Sequence, residues 1–178
     1  METMLKDRLL ALPEAARRAA LRDIATSWRV ARIMDGAPGR APVGMLSASL
    51  ADAAGISDRM IWVSRATFEH LVLDHLGDPS DAAFRKKLLA LIANVTDAAL
   101  GAIEVRDDGT RTLRVLIPFT RGFHVTDTSR ASRAERPTSL VLWFDDGMRV
   151  RSMLPTTERR FKSDANRRGD MIIDLNGS

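Results

Sequence analysis

Three histidines are the residues best suited to acid–base chemistry in this 178-residue chain: His70, His75 and His124. An imidazole titrates at about 6.5 when unperturbed, so one ring can accept a proton near neutrality while another donates one. Around His124 stand Arg121 and the hydroxyls of Thr126, Thr128 and Ser129, and further along Thr156, Thr157, Arg159, Arg160 and Lys162 form a second polar, basic group. Bases, acids and guanidinium groups together are what metal-independent RNA cleavage requires. One group removes the 2′-hydroxyl proton, a second protonates the leaving oxygen, and cations hold the phosphate as charge develops. The expected catalytic set is therefore His75, His70 and His124, with Arg121, Thr157, Arg159, Arg160 and Lys162 on the substrate phosphate. For any one of these histidines a structural or surface role is the competing explanation.

Other chemistries find less support. His70 and His75 are five residues apart, so they do not share a helical face as the two ligands of an HExxH zinc site do. No cysteine is present, which removes disulfides, thiol nucleophiles and thiolate-bound zinc. The two Asp-Asp-Gly triplets, at 107–109 and 145–147, look like paired carboxylates, but the demands of hairpin turns account for them. No Gly-x-Ser-x-Gly elbow occurs, and Gly36, Gly39 and Gly44 lack the Gly-Lys-Ser/Thr of a phosphate-binding loop. No metal and no cofactor is expected.

The net charge is +4, and only Lys6, Lys86, Lys87 and Lys162 among 27 cationic residues are lysine. Arginine presents a planar fork matched to phosphate, although the codon bias of a GC-rich genome produces the same composition. RNA or another nucleic acid is the expected partner. Tyrosine is absent and aromatics make up 5% of the chain, which argues against a ring-lined platform for single strands. No run approaches the roughly 18 apolar residues of a membrane span, and charges interrupt the apolar N-terminus. The expectation is a soluble, cytoplasmic protein that does not enter membranes.

The elements that must position these groups are legible in outline. Met60–Val63 is a β-prone run, and Ser64 caps a following helix in which Phe68, Leu71, Val72 and Leu76 form one stripe, ended by Gly77. That helix carries His70 and His75, with Asp74 four residues from His70. A second helix follows Ser80, with Phe84, Leu88, Leu91, Ile92 and Val95 on its buried side. Strands at 102–105 and 111–119 flank one Asp-Asp-Gly turn, strands at 139–144 and 148–153 flank the other, and 171–175 forms a last strand. The long polar loop between the hairpins carries His124, and loops of this length are functional or disordered.

Upstream, residues 3–33 read as helix interrupted at Pro13, and Arg17, Arg18, Arg22, Arg29 and Arg32 decorate its outer faces. Such a basic surface suits nucleic acid, a protein partner or plain solvent. Residues 35–58, rich in Gly, Pro, Ala and Ser, read as a connection, with a short helix at 47–54 capped by Gly55. The expected organisation is an N-terminal helical extension at 1–34, that connection, and an α+β domain at 59–178. Its fold class is α+β: N-terminal helices, then helices packed on one face of an antiparallel sheet of four to five strands.

The order strand, VSRATFEHLVLDHL helix, second helix and hairpin sheet resembles the barnase, EndoU, colicin and RelE-type nuclease fold, in the versions attached to phage and mobile-element proteins. The motif Ser-x-x-Thr followed by seven residues and His is carried by Ser64, Thr67 and His75. The resemblance spans about residues 59–162 and implies a toxin-like RNA hydrolase using His75, Arg121 and the Thr157/Arg159 group. The main alternative is a non-enzymatic phage or mobile-element binding or assembly protein that meets a partner through its N-terminal helices. A nucleic-acid-binding regulator is the third reading.

Overall fold

The computed structural model describes residues 2–26, 40–64, 82–123, 125, 136–145 and 148–177. The body of the expected helix, residues 65–76, the continuation of the N-terminal helices over 27–33, and the segment holding Gly36 and Gly39 lie outside the described residues.

Helices α1 (Glu2–Leu10) and α2 (Glu14–Thr26) lead to strand β1 (Arg40–Met45), helix α3 (Ala48–Ala54) and strand β2 (Met60–Ser64). Helix α4 (Ala82–Ala93) runs into a 3₁₀ turn at Asn94–Asp97 and then strands β3 (Leu100–Val105), β4 (Arg111–Pro118), β5 (Ser139–Phe144) and β6 (Val150–Thr156). Helix α5 (Glu158–Arg168) and strand β7 (Met171–Asp174) complete the chain. The class is α+β, and the described residues form two antiparallel sheets: β1–β2, and a five-stranded sheet in the order β6-β5-β4-β3-β7. Among the described residues no helix is long and apolar enough to cross a membrane.

Period-two alternation gives the large sheet two faces, as the strand segments require. Ile103, Leu113, Val115, Ile117, Leu140, Leu142, Phe144 and Met153 point to one side, where they meet α3, α4 and the small sheet in the main core. Leu100, Ala102, Leu116 and Val141 point to the other, against Phe161 and Ala165 of α5. Helix α5 is thus an addition to the expected picture, covering the second face of the sheet.

Much of the stretch read as a connection is core. Val43, Leu46, Leu50 and Ala51 are fully buried. Ser47 caps α3 by accepting the Leu50 N–H at 3.1 Å, and Gly55 ends it in the left-handed conformation at φ 68°. Small residues here serve close packing: a Cβ on Gly44 would lie 2.9 Å from Val95 Cγ1. Composition rich in Gly and Ala marks tight approach in this segment as much as it marks a loop.

The N-terminal helices are likewise built in. Leu9 and Leu21 bury against Met45, Met60 and Trp62 on the outer side of the small sheet. Arg17 donates to the carbonyls of Leu9, Leu10 and Leu12 at 3.0, 3.1 and 2.8 Å, closing the C-terminal end of α1 where carbonyls lack helical partners. Lys6 pairs with Asp58 at 2.5 Å, and Arg18 with Asp97. The small sheet joins the large one where the Trp62 N–H donates to the Met148 carbonyl at 3.0 Å.

Candidate anion-binding end of the sheet

Strand register decides which of the expected site residues meet. Pro118 pairs with Ser139, and Ser139 with Thr156, so β4 ends, β5 begins and β6 ends at one edge of the sheet. Two further bonds extend this alignment: Phe119 N–H to Thr138 O at 2.9 Å and Thr138 N–H to Thr156 O at 3.0 Å. The chain around Arg121, the segment Arg136–Thr138 and the start of α5 are therefore neighbours. β4 and β6 are two strand spacings apart, on the order of 10 Å.

Arg121 stands on a tight turn. The Phe123 N–H closes it onto the Thr120 carbonyl at 3.0 Å, and Gly122, at φ 84°, takes the third position where a type II turn needs positive φ. Phe123 is buried beneath, with its ring 5.0 Å from Phe119 and 5.8 Å from Phe84. An apolar foot thus fixes the turn while the Arg121 side chain is exposed.

Thr157 is the N-cap of α5; its hydroxyl oxygen accepts the Arg160 N–H at 3.2 Å. At this terminus the first N–H groups lack helical acceptors and the helix dipole is positive. Arg159 and Arg160 in the first turn are exposed, as is Arg136 on the neighbouring segment. Arg121, Arg136, Arg159 and Arg160 thus bring four cationic side chains to one end of the sheet. Lys162 has a different setting. Its ammonium lies 2.8 Å from both Asp174 and Glu158, and these hydrogen bonds, Asp174 first, push its pKa up to about 12. The same contact with Lys162 holds the Asp174 carboxyl below its usual range. The Lys162 charge is already met, and it braces α5 against β7.

His70, His75 and His124 lie outside the described residues, as do Thr126, Thr128 and Ser129. The arrangement around Arg121 and α5 can hold oxyanions. Among the described residues no three His, Asp or Glu side chains gather to hold a metal ion.

A buried charge cluster escaped the sequence reading altogether. Arg114 is 3% exposed on the face of β4 beneath α5, where it pairs with Asp170. Its guanidinium lies 4.9 Å from the Trp143 ring and 5.7 Å from Phe161, and Arg168 sits 5.0 Å from the same indole. Burial, followed by the neighbouring Arg168 charge, lowers the Arg114 pKa. The signal was an arginine at an inward position of a strand, meaningful only once α5 is known to cover that face. No protein-family model matches this chain, and neither a curated protein nor a solved structure is detectably similar to it.

Proposed function

We propose that this protein engages RNA through the cationic end of its sheet and cleaves it without a metal, by histidine acid–base catalysis. His75 or His70 serves as one proton-transfer group and His124 as the other, while Arg121, Arg159 and Arg160 hold the scissile phosphate. The step is attack of the 2′-oxygen on phosphorus with departure of the 5′-oxygen. One imidazole takes the hydroxyl proton, and the other protonates the leaving oxygen, producing a 2′,3′-cyclic phosphate.

What supports this reading is the Pro118–Ser139–Thr156 register, which gathers arginines from two distant stretches beside a helix N-terminus. The resemblance of residues 59–162 to barnase- and RelE-type nucleases points the same way. The assembly-protein alternative is weaker for a specific reason: α1 and α2 are packed into the fold, and Arg17 and Arg18 are spent on internal contacts.

An oligoribonucleotide incubated with the protein in EDTA is the test. Cleavage to a cyclic phosphate, lowered at least a hundredfold in His75→Ala or His124→Ala, is expected. Salt-dependent binding without turnover in the wild-type protein overturns the catalytic part and leaves a nucleic-acid-binding regulator. Neither binding nor cleavage overturns both.

A further inference from the structure

The opposite end of the same sheet carries a cationic cleft. Arg114 pairs with Trp143, so the turn joining β3 to β4 and the chain leaving β5 toward β6 project from one edge. Between them lies a cleft of about 460 Å³ lined by Arg106, Thr110, Thr112, Asp145, Arg149 and Arg151, with Phe144 at its base. Strand β4 alone is on the order of 25 Å long, so this cleft is separate from the Arg121 end.

The charges in the cleft are unevenly matched. Asp145 is occupied by Arg149, whose Nε lies 2.8 Å from Oδ2 and whose N–H donates to Oδ1 at 3.0 Å. At the rim, Asp108 is drawn into its own turn, accepting the Thr110 N–H at 2.8 Å. Among the described residues the guanidinium groups of Arg106 and Arg151 make no hydrogen bond or ion pair. Arg106 and Arg151 thus share one hollow, with Asp145 taken up by Arg149 and with Asp108, at the rim, also feeling the Arg106 charge.

Local backbone structure sets this up. Trp143 pairs with Ser152 and Phe144 with Val150, which leaves Arg151 as the extra residue of a β-bulge. A bulge interrupts the ladder and re-aims the side chain at that point. Thr112, 9% exposed, adds a hydroxyl to the lining. Planar guanidinium forks flanked by hydroxyls suit a tetrahedral oxyanion bearing several acceptor oxygens.

We propose that this cleft is a phosphate-binding site, with Arg106 and Arg151 as its principal cations and Thr110 and Thr112 as hydroxyl donors. The assignment is independent of the ribonuclease reading, since it involves neither a histidine nor the Arg121 end.

The test is an amide and arginine side-chain NMR titration of the full chain with inorganic phosphate, against sodium chloride at equal ionic strength. Saturable shifts at Arg106, Thr110, Thr112 and Arg151, at least tenfold weaker in the exposed-site variant R106A/R151A and unchanged in R121A/R159A, are expected. A parallel titration with an oligoribonucleotide lacking terminal phosphates separates the sources. Shifts at the cleft with both probes assign it to backbone phosphate; shifts with inorganic phosphate alone assign it to a free or terminal phosphate. Shifts that chloride reproduces, or that persist in R106A/R151A with the fold intact, overturn the proposal.

Discussion

Arginine is put to opposite uses on the second face of the sheet and at its ends. Arg114 lies under α5, walled by Trp143 and Phe161 and matched by one carboxylate, Asp170. Arg121, Arg106 and Arg151 are exposed on turns or at a bulge, and none makes an ion pair among the described residues. A guanidinium removed from water must keep its counter-charge, because the cost of leaving either partner alone exceeds what the pair contributes. One left in solvent is free to meet a ligand. The same side chain is therefore a buried structural partner or a solvent-exposed charge according to what covers it.

Substitutions sharpen the contrast, beginning with the largest effect. Arg114→Met leaves Asp170 as an unpaired buried charge and is expected to destabilise the fold by about 3–5 kcal/mol. Adding Asp170→Leu restores most of that loss; urea denaturation of the single and double variants decides, and an additive double variant contradicts the pairing. Gly44→Ala drives a methyl into the buried, β-branched Val95 and is expected to cost about 1–3 kcal/mol by the same assay. Thr157→Ala removes the α5 cap, for about 1 kcal/mol, whereas Thr157→Ser retains it.

The Lys162 contacts predict a smaller, pH-bounded effect. Because the folded pKa of Lys162 is raised, its contribution is complete below the ordinary lysine value of about 10.4 and is lost as pH rises through about 12. Because that of Asp174 is lowered, its contribution is present above about 3.9 and is lost as pH falls through the folded value. The stability difference between wild type and Lys162→Met is thus expected to be flat from about pH 4 to 10 and to shrink outside that window, as urea midpoints across pH report. Smallest of all, Arg121→Ala with Arg159→Ala is expected to change stability by no more than about 0.5 kcal/mol per site. Its signature is instead a weaker salt dependence of RNA binding, read as the slope of log affinity against log salt.

The hairpins were legible because alternation and turn chemistry are local. Thr112 to Ile117 alternate between faces around Asp-Asp-Gly, and no distant residue is needed to read that pattern. Helix α5 was not, because ERRFKSDANRR offers only Phe161 and Ala165 to a core, four residues apart on an otherwise polar segment. Its apolar partners, Leu100, Leu116 and Val141, belong to strands as many as 65 residues away. The segment at 40–58 misled for the converse reason: its glycine and alanines resemble a connection until Val95 is seen packed against Gly44.

From the order of amino acids alone came the α+β class, most of the strands, the Gly55 cap of α3 and the basic character of the surface, all set by contacts within a few residues. Which arginine is buried and which faces solvent, and that Arg121 shares an edge with Arg159 while Arg106 shares another with Arg151, depended on strand order and register. Those pairings join residues tens of positions apart, and no local periodicity encodes them.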